Sequence, residues 1–161
     1  MATSRRNWPI VRWGLALVAA AGLAIDAYVH FDLAPAFSGI KSSVLSQGDL
    51  FRAEATVAAI AAIAVLLRPR RYTAAFAFVV AAAGTAAVLV YAYINVGAFG
   101  PLPNMYDPTW YPEKTLSAWA EGVAAIAAFA LLALLHAQTR GRSGQASLRG
   151  DGAAAPSART Q

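Results

Sequence analysis

Asp26 and His30 stand four residues apart, so on a helix they share one face, with Asp26 about 6 Å deeper. A carboxylate beside an imidazole can hold a proton, orient the ring, or offer mixed oxygen and nitrogen ligands to iron, manganese or zinc. Glu54 and Glu121 lie near the starts of two other apolar stretches, and Tyr91 and Asn95 share a face of a third. An ionisable side chain at the centre of a membrane helix costs at least ~2.5 kcal/mol and normally faces the bundle interior. Asp26, His30, Glu54, Glu121, Tyr91 and Asn95 therefore form a candidate polar cluster, and the first four are the candidate metal ligands. The Glu-x-x-His spacing of di-iron bundles is absent. With no cysteine in the chain, thiolate metal sites, cysteine-ligated iron–sulfur clusters and thiol–disulfide relays are excluded.

Such a cluster has several uses. The carboxylates of Glu54 and Glu121 can pair with Arg52, Lys114 or His30 and simply tie helices together, while Asp49 and Glu113 complement helix N-terminal dipoles. The cluster can hold a metal. It can also form an outward-opening quinone, small-ligand or proton site with Tyr28, Tyr91 and Trp119 as walls. His30 beside Asp26 could alternatively sense pH between about 5 and 8. Apart from Arg12 and His136 at the inner ends, no ionisable residue falls in the inner half of any apolar stretch, which argues against a complete transport path.

Four elements must position these groups. Apolar stretches at about 11–30, 50–67, 73–95 and 116–137 are each long enough to cross a bilayer as a helix. The second is the shortest, because only residues 55–67 are free of charge. At 58% hydrophobic and 13% charged, the 161-residue chain leaves no apolar mass for a separate soluble domain. The expected organisation is a four-helix transmembrane domain over 1–137 and a disordered cytoplasmic tail over 138–161. The first stretch carries Asp26 and has Pro35 inside its only small-residue site, so it is expected to be retained rather than cleaved as a signal peptide.

Charge sets the expected orientation. Ten of the 13 Lys and Arg lie in the N-terminal segment, the turn holding Arg68, Arg70 and Arg71, or the C-terminal tail. Seven of the eight Asp and Glu lie on or near the other two connections. Basic residues mark cytoplasmic loops, so both termini are expected inside a bacterial inner membrane. The positive charge then meets lipid headgroups, and no nucleic-acid partner is implied.

The two halves also resemble each other. Val18–Gly22 and Val80–Gly84 both read Val-Ala-Ala-Ala-Gly, and Val57–Ala62 recurs as Val123–Ala128 after Glu54 and Glu121 respectively. This suggests two tandem helical hairpins related by a pseudo-two-fold axis along the membrane normal.

The outer connections are rich in turn formers. The second holds Pro101, Pro103, Pro108 and Pro112, which should make it a stiff cap. Its Tyr106, Trp110 and Tyr111 are candidate partner contacts, since aromatics dominate binding hot spots. The favoured function from sequence is a non-enzymatic accessory or subunit protein that needs no cofactor. It would present these loops to a membrane or periplasmic partner.

Three stretches carry a resemblance: Asp26-Ala-Tyr-Val-His-Phe-Asp-Leu-Ala34, Gln47-Gly-Asp-Leu-Phe-Arg-Ala-Glu54 and Met105-Tyr-Asp-Pro-Thr-Trp-Tyr-Pro-Glu-Lys114. Over most of residues 10–137 the chain resembles small four-span membrane proteins of high-GC bacteria. That resemblance implies the four-span layout and carries over no activity. The layout is also similar to that of DoxX-like four-helix proteins, in span count alone.

Overall fold

The computed structural model of the protein describes residues 7–152, with side chains as far as Thr139. Among these residues the chain forms four helices and no strand: α1 (Trp8–Leu33), α2 (Gln47–Leu67), α3 (Arg71–Tyr93) and α4 (Pro112–Gly152). All four are long and apolar enough to cross a bilayer, α4 over Pro112–Thr139. The protein is thus a four-helix bundle with the build of a small multi-pass membrane protein.

Local chemistry sets the helix ends. Ser46 Oγ accepts from Asp49 N at 3.1 Å, and the Asp49 carboxylate accepts from Ser46 N at 3.1 Å, a reciprocal capping box. This cap starts α2 at Gln47, three residues before the expected boundary, and its 21 residues span about 31 Å. The short second span is therefore full length. Arg52 bonds Asp49 at 3.0 Å on the exposed side, which leaves the opposite face of α2 to carry Glu54 inward. At the α2–α3 turn, Thr73 Oγ1 accepts from Arg70 N at 3.0 Å and starts α3 at Arg71. α3 stops at Tyr93, so Asn95 falls beyond the helix rather than on it. The tail expected to lack structure over 138–161 is helical as far as Gly152, and residues 153–161 lie outside the described residues.

The core is almost entirely alanine. Ala16, Ala19, Ala58, Ala61, Ala77, Ala124 and Ala128 are buried, with Leu23, Val65 and Leu131 among them. In a bilayer, lipid solvates leucine as well as a protein core does, so helices associate by close backbone approach over small residues. The large apolar groups accordingly face outward, among them Leu17, Ile60, Ile63, Val79, Ile126 and Phe129. Gly22 marks the tightest approach of α1 to α4. A β-carbon there would lie 2.5 Å from the Ala120 carbonyl oxygen and 2.9 Å from the Ala124 β-carbon.

α1 packs broadly on both α2 and α4, and α3 packs on α4, whereas α2 and α3 meet sparsely. Two equivalent hairpins would make the α1–α4 and α2–α3 seams alike, and they differ. Gly22 on α1 meets α4 backbone, whereas Gly84, its counterpart in the repeated pattern, faces the Glu121 side chain of α4. α2 and α3 pack less closely than the other neighbouring pairs, and a cavity opens between them.

Candidate functional site

The cavity has a volume of about 450 Å³ and lies at the end of the bundle bearing the two long connections. Val57 and Phe51 of α2 face Ala83, Ala87 and Tyr91 of α3, and Leu102 and Met105 of the second connection cover it. Glu54 and Glu121, with Asp107 of the second connection, supply the acidic part of its wall.

Behind that wall the carboxylates converge. One oxygen each from Asp26, Glu54 and Glu121 lie within 4.8 Å of one another. Asp26 and Glu121 are 0% and 1% exposed. Asp26 Oδ1 accepts from Ser117 Oγ at 2.5 Å and lies 2.8 Å from His30 Nδ1. Asp26 Oδ2 and Glu121 Oε2 are buried with no hydrogen-bond partner among the described residues. Three helices thus bring acid to one point, and α3 contributes Gly84, whose missing side chain makes the space that the Glu121 carboxylate fills. Buried charge of one sign is expensive without a compensating charge, and two orphaned oxygens leave the cluster with unused capacity to accept.

The basic residues are occupied elsewhere. Arg52 bonds Asp49, as well as Ser38 Oγ at 3.4 Å, and does not reach Glu54. Lys114 donates to the carbonyls of Asp107 and Thr109 and lies 3.6 Å from the Asp107 carboxylate. It also sits 5.3 Å from the centre of the Trp110 ring, a cation–π contact that helps hold the loop. The expected pairing of Glu54 and Glu121 with Arg52 or Lys114 is therefore corrected. Nearer counter-groups, Asp49 in the first turn of α2 and Asp107 and Thr109 in the second connection, hold both cations.

Of the predicted cluster, Asp26, Glu54 and Glu121 come together, and His30 joins through Asp26 while standing outside the converging three. The His30 ring packs edge-on against Phe51, 4.9 Å between centroids, so it forms a shoulder between α1 and α2. Tyr91 lines the cavity, and its carbonyl accepts from Asp107 N at 3.0 Å. Asn95 does not take part. Its Oδ1 accepts from Gly97 N at 3.1 Å in a turn of the exposed connection, because α3 has already ended. Tyr28 and Trp119 are 70% and 72% exposed and point away from the cavity, the posture of interfacial belt residues rather than walls.

The loop aromatics divide. Tyr111 lines the cavity and stacks on Phe37, 6.5 Å between centroids, while Tyr106 and Trp110 stay exposed. Burial, with smaller contributions from the Asp107 and Glu113 carboxylates, pushes the Tyr111 phenol up to about 12. It is therefore a neutral hydrogen-bonding group at the rim throughout the physiological range.

Two polar groups that line the cavity escape a sequence reading centred on acids and histidine: Ser117 and Gln47. A signal was present, because Lys114, Ser117 and Glu121 recur at spacings of three and four, a polar stripe down one face of α4. Gln47 and Glu54 likewise lie two turns apart on α2.

Compared with known proteins, the chain matches no protein-family model, no curated protein and no solved structure.

Proposed function

We propose that this small integral membrane protein receives a lipophilic small molecule with a polar head, of the quinone class, in the cavity between α2 and α3. The observation that carries the reading is a cavity of about 450 Å³ with apolar and aromatic walls and a few convergent polar groups. Ligand sites typically fall in the range of about 300–1,000 Å³ with this division of labour, the walls supplying affinity and the polar groups orientation. Glu54, Glu121 and the Tyr111 phenol are the groups that would hold the head. Tyr106 and Trp110, exposed on a connection tied down by Lys114, are the surface left for a protein partner.

Purified protein in mild detergent should take up one short-chain quinone per chain in native mass spectrometry and unfold at a higher temperature with it. Ala87→Trp, which fills the cavity, should abolish both effects. No adduct with the unsubstituted protein, or an equal adduct with the variant, would refute the reading.

The basic flanks support a placement in a bacterial inner membrane with the cavity opening outward and both termini cytoplasmic. Alkaline phosphatase fused after residue 70 should be inactive and after residue 105 active. The reverse pattern would turn the molecule over.

A further inference from the structure

We infer that Asp26, Glu54 and Glu121 bind a divalent metal ion with a preference for carboxylate oxygen, Mn²⁺ being the first-row ion of that kind. Three observations carry this beyond a cluster of acids.

The first is geometric. Oxygens within 4.8 Å of one another leave a point no more than about 2.8 Å from all three, against about 2.3–2.6 Å for Ca²⁺–oxygen contacts. Small side-chain movements close that gap, and Mn²⁺, at the same hard end of the ion series, needs slightly more closure.

The second is the pair of orphaned oxygens. Asp26 Oδ2 and Glu121 Oε2 belong to side chains 0% and 1% exposed, and neither has a hydrogen-bond partner other than the two acids themselves. Asp26 is already oriented through its other oxygen by Ser117 and His30, the outer support that metal-binding carboxylates usually have. Its other oxygen is thus held in place with only acid beside it.

The third is access. Glu54 and Glu121 line the cavity, but Asp26 does not. The point shared by all three therefore lies at the back of the cavity wall. Of the neighbouring cations, Arg52 is held by Asp49 and Lys114 by Asp107, which leaves His30, beside Asp26, as the one basic group in contact with the three acids among the described residues. One imidazole cannot balance three carboxylates, and a divalent ion would supply the remaining positive charge, with coordination positions on the cavity side open to water or to a ligand's oxygen.

The inference stands apart from the quinone reading, since either can fail alone. Full-length protein in detergent, stripped with chelator and then dialysed against Mn²⁺, should retain one ion per chain by elemental analysis. The ion should also give a bound-Mn²⁺ paramagnetic resonance spectrum. Altering groups that merely support metal ligands weakens binding about 10–100-fold, so Glu54→Gln and Glu121→Gln should each weaken it by at least that much. Both variants are isosteric and relieve like-charge crowding, so in chelator they should fold and unfold no earlier than the parent protein. Gly84→Ala supplies a second route. Its methyl group must displace the Glu121 carboxylate, and it should weaken Mn²⁺ binding with the acid still present. Retention of no Mn²⁺ by the parent protein, or equal retention by Glu54→Gln and Glu121→Gln, would overturn the inference, whatever the quinone result.

Discussion

Gly22→Ala should unfold this protein more readily than any other single added methyl group on α1, by about 1–3 kcal/mol. The new β-carbon would meet the Ala120 carbonyl at 2.5 Å and the Ala124 β-carbon at 2.9 Å. Neither can rotate away. One is backbone, and the other is fixed to it, so α1 and α4 must separate along their tightest seam. The intrinsic preference runs the other way, since alanine exceeds glycine in a helix interior by about 1 kcal/mol. Gly14, about two turns nearer the start of α1, has nothing within 4 Å of its β-carbon position and provides the control. Gly14→Ala should be neutral or mildly stabilising. Unfolding of the two variants by heat or by sodium dodecyl sulfate in mixed micelles separates the cases. Equal behaviour would show that close α1–α4 contact does not hold the bundle.

The second large effect is expected at Asp26. Asp26→Ala should cost about 1–3 kcal/mol, because it removes the acceptor for Ser117 and the partner of His30 and leaves the Ser117 hydroxyl buried and unsatisfied. Asp26→Asn should be much milder. Its amide oxygen can keep the Ser117 bond, and its NH₂ group would replace the orphaned Oδ2 beside the Glu54 and Glu121 carboxylates as a donor. A stable Asp26→Asn protein beside a destabilised Asp26→Ala protein marks the carboxylate as held for something other than stability. Equal destabilisation by the two variants would instead assign the negative charge itself a structural role. The same unfolding measurements read both outcomes.

The two predictions rest on opposite kinds of contact, and they differ in how far the sequence disclosed them. The membrane-spanning bundle was legible because a bilayer permits few solutions. A run of about 20 apolar residues must be helical to satisfy its backbone, so four such runs imply four helices. Helix ends were less legible. The cap of Ser46 and Asp49 lengthened α2, and the end of α3 at Tyr93 removed Asn95 from the face it was expected to share with Tyr91.

The acidic cluster was partly legible, since ionisable residues within apolar stretches must find an interior. That argument named Asp26, Glu54 and Glu121 but could not choose their partners. Sequence proximity to the span ends made Arg52 and Lys114 look available. In the fold, Asp49 three residues before Arg52 and the carbonyls of Asp107 and Thr109 beside Lys114 take them first. Local partners win because they require less ordering of a long flexible side chain than a reach into the bundle does.

By itself the sequence determined the helical bundle and which residues carry acid into it. Periodicity and the absence of water in a bilayer suffice for those. Only the tertiary structure decided that the α1–α4 seam closes over Gly22, that the α2–α3 seam opens into a cavity, and that three carboxylates share one point while both nearby cations turn away. Those outcomes depend on rotations and approaches between helices, set by which small residue meets which neighbour, and one-dimensional spacing does not contain that information.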